Sequence, residues 1–299
     1  MAESLLILGW HNVEGTWCFP APAGSGQRGL HRQLQVLRRI CNVVPLHAAL
    51  ADLSVGRPLP PRAVALTFDD GYRDNIELVV PLLADLGLPA TFFLVPALLS
   101  AEVEAWWEVL ARAVTCTRRE RLVWEGVDHT LASPTARRTT FAMVAESLKQ
   151  RGFAARQQAT NALLAELLPG EAGGTTDLFM DWDGAQRLVE AGFDVGSHSL
   201  RHAILSRESP GQQKQDLTTA RALLRERLAV PVDLLAYPNG RTIDIDDKTV
   251  QAAVAAGHSA AVTTVPGWNT HHLSLMRLRR LVISPEKSWR VFANIGRHF

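Results

Sequence analysis

The feature that most constrains this fold is a strand–helix–strand unit in the first third of the chain. Residues 63–68 are mostly apolar and predict a fully buried strand, and residues 90–95 predict a second one. Between them, residues 75–86 have the composition of a helix, which Gly87 and Pro89 would end. Two strands joined through a helix lie parallel, so this unit predicts a parallel sheet covered by helices.

The same alternation recurs along the chain. Strands are expected at residues 5–8, 193–197, 234–237 and 259–265, and helices at 30–53, 182–191, 211–228 and 249–256. Asp181 is suited to cap the helix that follows it. Repeated βα units in a chain of 299 residues predict an α/β fold of the (β/α)-barrel type.

Residues 101–178 interrupt the alternation. They contain Trp106-Trp107, several helical stretches and a Gly-Gly break at 173–174. We interpret them as a helical insertion within one βα connection of a single domain spanning residues 1–299. Packing against the barrel is its expected role, and a lid or a partner surface is the alternative.

Composition excludes some classes of function. The net charge is +1, which provides no broad basic surface for nucleic acid. The three cysteines, Cys18, Cys41 and Cys116, are too few and too widely spaced for a disulfide framework. Neither a signal peptide nor a membrane-spanning segment is expected, so a cytosolic location is predicted, with peripheral membrane association through a partner left open.

Two adjacent acids follow the strand at 63–68. Successive side chains of a strand point in different directions. One of Asp69 and Asp70 could therefore bind a cation while the other stays free as a base. Asp-Asp-Gly is also a common turn sequence, but the buried strand before it favours a functional site at the end of the sheet where barrel loops converge.

Two histidines follow the strand at 193–197. His198 and His202 are four residues apart and would share a face if this segment enters a helical turn. Imidazole is a common ligand of divalent metals. Two histidines and one carboxylate, with further positions left to water, are typical of a catalytic metal site.

A third cluster, Tyr237-Pro238-Asn239-Gly240, follows the strand at 234–237. Proline and glycine favour a tight turn here. The alternatives are a structural turn and a site that presents a backbone N–H and an aromatic wall to a substrate oxygen.

Taken together, these clusters resemble the motifs of the polysaccharide deacetylases, the NodB-homology group of carbohydrate esterases. The family's Thr-Phe-Asp-Asp-Gly matches residues 67–71, and its His-Ser/Thr-x-x-His matches 198–202. Its third motif, an aromatic residue or Ala before Tyr-Pro-x-Gly, matches 236–240. The resemblance extends from Trp10-His11 to about residue 282 outside the insertion. It implies an irregular (β/α) barrel of about seven parallel strands.

The resemblance also implies a mechanism. Asp70, His198 and His202 would bind the metal, and Asp69 would take a proton from the attacking water. Zn²⁺ is the expected metal, with Co²⁺, Ni²⁺ or Mn²⁺ as alternatives. The Tyr237 N–H would stabilise the oxyanion, and the substrate would be an N-acetylated amino sugar in a glycan or glycoconjugate.

The chain departs from the family pattern at two roles. The family's Arg that orients the base is replaced by Ala236. Arg241, Arg277, Arg279 or Arg280 could supply its charge, and Arg280 is preferred. The family's late acid-bearing Leu-x-His has no clean match, which leaves the general acid among His271, His272 and His258. His11, Tyr72, Pro238 and Arg280 are assigned to the substrate-binding pocket.

Two other functions remain possible from the sequence. The same metal site could cleave a small amide or a cyclic imide, since a fold and a metal triad do not fix the substrate. The chain could also be a non-catalytic carbohydrate-binding relative, although an intact acid pair and histidine pair argue against it. The oligomeric state cannot be predicted.

Overall fold

The fold is known from a computed structural model, which describes residues 4–20, 25–168 and 170–283. Its strands are β1 (Leu5–Trp10), β2 (Asn42–Val43), β3 (Ala63–Asp70), β4 (Thr91–Leu94), β5 (Arg121–Trp124), β6 (Val127–Thr130), β7 (Asp194–Ser197), β8 (Leu234–Ala236), β9 (Ala260–Val262) and β10 (Leu281–Val282).

The α-helices are α1 (Gly26–Ile40), α2 (Leu46–Ser54), α3 (Val80–Leu86), α4 (Pro96–Leu99), α5 (Trp106–Cys116), α6 (Pro134–Leu148), α7 (Phe153–Leu167), α8 (Trp182–Glu190), α9 (Pro210–Leu228) and α10 (Asp247–Ala255). A π-helical turn, Asn75–Val79, leads into α3. Short 3₁₀ turns lie at Thr176–Leu178, Leu205–Arg207, Thr242–Asp244 and Leu275–Arg277.

Seven parallel strands form a curled half-barrel surrounded by helices, which confirms the predicted fold class. Their order is β10-β1-β3-β4-β7-β8-β9, and the short β2 also pairs with β3. Every residue of β1 and of β3 is buried. Burial on both faces explains why these strands are continuous apolar runs rather than alternating ones.

The strand register brings the carboxyl ends of the strands to one edge of the sheet. Asp70 at the end of β3 pairs with Leu94 at the end of β4, and Leu94 pairs with Ser197 at the end of β7. The loops that follow β1, β3, β7, β8 and β9 therefore meet above this edge. The three sequence clusters lie on these loops, as the barrel interpretation predicts.

Helix ends agree with the capping residues in the sequence. The Asp181 side chain accepts a hydrogen bond from the Gly184 N–H and caps α8, as predicted. The expectation of one helical region over residues 30–53 was wrong in part. The chain forms two helices there, separated by β2 and by Pro45, which cannot continue α1 and instead precedes α2.

The predicted insertion contains α5, α6 and α7, but also an antiparallel hairpin of β5 and β6 that the sequence did not predict. It has an apolar cluster of its own, built around Leu110, Val114, Val144 and Leu163. The hairpin strands are only four residues long, and each has one buried side chain, Leu122 and His129. So short a pattern is hidden among longer helical ones.

Within the described ranges, no helix has the length and apolarity needed to cross a membrane. All three cysteines are free thiols.

Candidate active site

The end of β3 directs two consecutive acids toward one cavity. Asp69 and Asp70 are each only 2% exposed, and both line the cavity above the sheet edge. Asp70 has a φ of 72°, in the left-handed region that non-glycine residues rarely adopt. Backbone strain of this kind concentrates at functional sites. It changes the direction of Asp70 relative to a regular strand, in which neighbouring side chains leave opposite faces.

His198 and His202 approach Asp70 from the loop after β7. Their Nε2 atoms lie 3.3 Å and 3.4 Å from Asp70 Oδ1. The loop is not the helical turn expected from their spacing. Ser199 and His202 have positive φ angles of 64° and 53°, so an irregular backbone brings the two rings together.

The geometry of these three residues fits a divalent metal. Their ligand atoms lie within 4.8 Å of one another. Two ligand atoms at Zn–N distances of about 2.0–2.1 Å in a tetrahedral site are about 3.3 Å apart, close to the separations found here. Asp70 Oδ1 is buried without a hydrogen-bond partner among the described residues, as expected of an atom that binds a cation.

The second nitrogen of His198 is also positioned for metal binding. Nδ1 lies 2.7 Å from the carbonyl oxygen of Ala236 at the end of β8. Donation of the Nδ1–H to this carbonyl leaves the Nε2 lone pair directed at Asp70. This arrangement, in which the outer nitrogen of a ligand histidine is fixed by a carbonyl, is common in metal sites.

Asp69 is held by Arg280, which is fully buried next to β10. The guanidinium Nη1 lies 2.7 Å from Oδ1 and Nη2 lies 2.6 Å from Oδ2. Nη1 also donates to the Thr67 hydroxyl and Nε to the Thr263 carbonyl. Among the four arginines considered from the sequence, Arg280 is the one whose guanidinium contacts Asp69. It does not line the cavity, so its assignment to substrate binding was wrong.

Electrostatics keep both acids ionised. Burial alone raises the pKa of Asp69, but the Arg280 charge and the imidazoles of His198 and His11 lower it below its ordinary value. Burial likewise opposes ionisation of Asp70, and His202 and His198 more than offset it, so the Asp70 pKa is also lowered.

His11 lies just beyond the end of β1. Its Nε2 is 4.0 Å from Asp69 Oδ2, its side chain is 26% exposed, and it lines the cavity. Its ring stacks on Phe19 at 5.7 Å between centroids. Of the histidines considered beside the metal triad, His11 is the one that reaches the cavity.

The other candidate acids lie elsewhere. His271 and His272 are exposed, contact one another with their ring centroids 3.7 Å apart, and do not line the cavity. His258 is buried after α10, also away from the cavity. The structure therefore brings none of the three to the cavity, because the loop at 270–273 faces solvent and His258 is enclosed in the interior.

The turn after β8 does not offer the Tyr237 N–H that was expected to face the substrate. The Tyr237 N–H donates to the Val262 carbonyl at 3.1 Å, so it is used in pairing β8 with β9. Pro238 has no N–H and is buried outside the cavity lining. Asn239 lines the cavity with a φ of 62°, and its N–H donates to no other described residue. The Tyr237 ring does line the cavity, while its hydroxyl donates to the Met276 carbonyl.

Tyr72 was assigned to substrate binding but lies in the interior. Its hydroxyl donates to Glu108 at 2.9 Å and accepts from Trp107 Nε1 at 2.8 Å. Glu108 also accepts from Thr16 and from the Cys18 N–H. Tyr72 thus ties β3 and the loop after β1 to helix α5, and it is 1% exposed.

The insertion supplies one wall of the cavity, which the sequence did not predict. The cavity measures about 520 Å³. The insertion residues that line it are Trp106, Trp107, Phe141, Ala142, Ala145, Glu146 and Lys149. The Trp107 ring packs against the His202 ring at 4.5 Å between centroids. A tryptophan pair at the start of a helical segment is the one sequence signal that could have indicated this contact.

The insertion is also joined to the turn after β8. Arg241 donates to Glu146 of α6 at 2.6 Å and to Asp244 at 2.9 Å. Asp244 in turn accepts from the Asn239 side chain. Through these ion pairs the α6 wall and the Asn239 turn are fixed relative to one another.

Comparison with known proteins identifies the family. Residues 56–117 and 121–261 match the sequence profile of the polysaccharide deacetylases. The chain is 20% identical over 231 residues to YxkH of Bacillus subtilis (strain 168), a polysaccharide deacetylase by name. That match covers 77% of this chain and 55% of YxkH, so the chain spans about half the length of this relative.

Solved structures agree in fold. The Streptococcus pyogenes deacetylase PplD in complex with acetate has a TM-score of 0.66 at 16% identity, with 99% of each chain covered. The BpsB deacetylase domain of Bordetella bronchiseptica has a TM-score of 0.59 at 20% identity, with 95% of this chain and 97% of that one covered. IcaB of Ammonifex degensii has a TM-score of 0.61 at 19% identity, with 98% and 97% covered.

The family inferred from the three motifs is confirmed. The profile match extends over more than half of the sequence, and this chain belongs to the polysaccharide deacetylase family.

Proposed function

We propose that this protein is a metal-dependent hydrolase that removes N-acetyl groups from an amino-sugar-containing glycan or glycoconjugate. The observation that carries the proposal is the convergence of Asp70, His198 and His202 on one point beside the Arg280-bound Asp69. Family membership supports deacetylation of sugar polymers as the general activity.

Asp70, His198 and His202 would hold the cation. When bound, a divalent metal supplies Lewis-acid polarisation of the amide carbonyl and makes a water easier to deprotonate. The donor set of two imidazoles and one carboxylate suits Zn²⁺, and Co²⁺, Ni²⁺ and Mn²⁺ are alternatives.

Asp69 is proposed as the base that takes the proton of the attacking water. Its two oxygens are fixed by Arg280, so the carboxylate cannot rotate away from the cavity. The lowered pKa keeps Asp69 ionised and ready to accept a proton at neutral pH.

The Asn239 N–H is proposed to stabilise the negative charge that develops on the amide oxygen. It replaces the Tyr237 N–H in this role because the latter is bonded to Val262 within the sheet. The left-handed backbone of Asn239, held by the Asp244 contact to its side chain, directs the turn toward the cavity.

His11 is proposed to protonate the leaving amine. It lines the cavity close to Asp69, and histidine is the side chain most often used as a general acid. With the proton delivered to nitrogen, the C–N bond breaks and the products are acetate and a free amino sugar.

The insertion wall is proposed to contact the sugar. Trp106 and Phe141 give this side of the cavity an aromatic surface, and Lys149 and Glu146 add polar groups at its edge. Apolar walls with a few placed polar groups are typical of small-molecule sites. Peripheral membrane association and a cytosolic location stay predictions, as does the identity of the sugar carrier.

The test is acetate release from N-acetylglucosamine oligomers, compared with ring opening of cyclic imides. We expect acetate release that a chelator abolishes and added Zn²⁺ or Co²⁺ restores. Activity on imides with none on the oligomers would contradict the proposed substrate class. Chelator-resistant acetate release would contradict the metal requirement.

A further inference from the structure

Three buried N–H groups belong to residues that line a second, much smaller cavity. The cavity measures about 20 Å³ and is lined by Trp106, Arg156 and His202, among others. Trp106 Nε1, Arg156 Nη1 and His202 Nδ1 are all buried, and none has a hydrogen-bond partner within the described part of the chain. Leaving a buried donor without an acceptor costs about 1–3 kcal/mol per group.

Arg156 adds a buried positive charge to this cavity. It comes from α7, is 1% exposed, and lies over the Trp106 ring at 5.2 Å. Its Nη2 donates to the His202 carbonyl at 3.0 Å. No carboxylate of residues 4–20, 25–168 or 170–283 lies within 4.0 Å of its guanidinium. Burial lowers its pKa to about 10, so it remains charged at neutral pH.

A second arginine of the insertion shows what Arg156 lacks. Arg151 also lies over a tryptophan, Trp124, at 4.9 Å. Its Nη2 donates to the Glu125 carboxylate at 2.7 Å, and it is only partly buried. The more deeply buried arginine is thus the one with no carboxylate in contact, and Glu208 acts on it only over a longer distance. A buried ion without a partner in contact is the costlier arrangement.

The size and the donors of the small cavity specify its occupant. A cavity of about 20 Å³ accommodates one water-sized particle. A water molecule has two lone pairs and carries no charge, whereas this site offers up to three donors and a cation. Polyatomic anions such as phosphate exceed the space. We propose that the cavity binds a single monatomic anion, chloride, through Arg156, Trp106 and His202.

The anion would complete the support of the metal site. The outer nitrogen of His198 is fixed by the Ala236 carbonyl, while that of His202 has no such acceptor. A halide at Nδ1–H would fill this role for His202. This part rests on the proposed function, because Nδ1 is the donor only if Nε2 faces the metal. Arg156 and Trp106 are donors in every case.

Three further polar residues line the cavity, Glu104, Gln157 and Arg201. Glu104 Oε1 accepts from the Thr175 N–H at 3.2 Å, and Arg201 is exposed and lies near Asp216 at 4.0 Å. Gln157 is partly exposed. None of the three is hydrogen-bonded to Arg156 Nη1.

The test is crystallographic and does not depend on activity. Crystals of the metal-loaded protein are grown with sodium bromide in place of chloride, and anomalous scattering is measured at the bromine edge. We expect one anomalous peak within hydrogen-bonding distance of Arg156 Nη1. Density without anomalous signal, which would identify a water, would overturn the proposal even if the protein proves to be an active deacetylase.

Matched variants assign the site to Arg156. Arg156→Met should lose the peak, and Arg151→Met, which removes an arginine of the same insertion, should keep it. A peak that persists in Arg156→Met would overturn the assignment. If Arg156→Met does not fold, the melting temperature of the wild type in equal ionic strengths of sodium bromide and sodium gluconate gives a second measurement. Bromide should raise it, and equal values would contradict the site.

Discussion

Arg280 holds Asp69 through two parallel hydrogen bonds of 2.7 Å and 2.6 Å, although the two residues are 211 positions apart in the chain. The arginine lies just before β10 and the acid at the end of β3, with β1 between these strands in the sheet. The position at which the family pattern has an arginine, Ala236, instead contributes its carbonyl to His198. The positive charge has thus moved to another strand, and Asp69 has a guanidinium partner there.

The first prediction concerns this pair. Arg280→Met should lower kcat/KM by at least about tenfold, because Asp69 loses the contacts that orient it and keep it ionised. Since Arg280 lowers the Asp69 pKa, its removal should raise that pKa and shift the acid limb of the kcat/KM profile to higher pH. Arg280→Lys should restore part of the shift.

A structural role alone would give a different result. Breaking a buried pair is expected to cost about 3–5 kcal/mol of unfolding free energy, so activity is measured at a temperature where each variant is folded by circular dichroism. An unchanged acid limb in folded Arg280→Met would show that the arginine does not tune the base.

His11→Gln tests the general acid. Loss of a proton donor should reduce deacetylation of an N-acetylated sugar by about 10²–10⁴-fold. An aryl acetate, whose phenolate leaves without protonation, should be cleaved at nearly the wild-type rate. The exposed His271→Gln is the control and should be active on both substrates. Equal losses on amide and aryl ester would assign His11 a role other than proton donation.

Trp107→Leu tests the contribution of the insertion to the metal site. The indole packs on His202 at 4.5 Å and donates to Tyr72, so its removal should loosen the ligand ring. Metal affinity, measured by competition with a chromophoric chelator, should fall by about tenfold, in the range known for outer-shell changes. Trp124→Leu removes a tryptophan of the same insertion outside the cavity lining and should bind metal as the wild type does.

Asp216 gives a prediction for stability against pH. Its carboxylate accepts a hydrogen bond of 2.8 Å from the N–H of Leu200, which lies between His198 and His202 in the sequence. Burial raises the pKa of Asp216 to about 6. The folded state therefore retains a proton that the unfolded state, with a pKa of about 3.9, releases. From this group the free energy of unfolding should fall as pH rises from about 4 to about 6, by at most about 3 kcal/mol, and then stay level.

Asp216→Asn should remove this dependence. The free energy of unfolding is measured in urea for both proteins. The value for the variant minus the value for the wild type should increase between about pH 4 and about pH 6 and be constant above pH 6. The exposed Asp177→Asn should follow the wild type throughout. A difference independent of pH would mean that Asp216 titrates alike in both states.

The sequence predicted most of what depends on local pattern. Buried strands such as β3 and capped helices such as α8 follow from periodicity and caps, and parallel pairing then brings Asp70 and the histidines to one edge. The predictions that were wrong concern contacts between residues that are distant in the sequence. Whether the Tyr237 N–H is free depends on the register of β8 with Val262 of β9. Which arginine contacts Asp69 depends on where β10, the strand that follows Arg280, lies in the sheet.

The insertion shows the same limit. Its helices were expected, but its hairpin and the packing of Trp107 on His202 depend on how the segment folds back over the sheet. The spacing of His198 and His202 indicated their proximity but not its cause. Two left-handed residues, not a helical turn, bring the rings together.

The central claim is that Asp69 is the base beside a metal held by other residues. The measurement that tests it most directly is acetate release by Asp69→Asn, with the bound metal quantified in the same sample. The account predicts a full equivalent of metal and a rate reduced by about 10²–10⁴-fold. A rate within a few-fold of the wild type, with the metal bound, would contradict it.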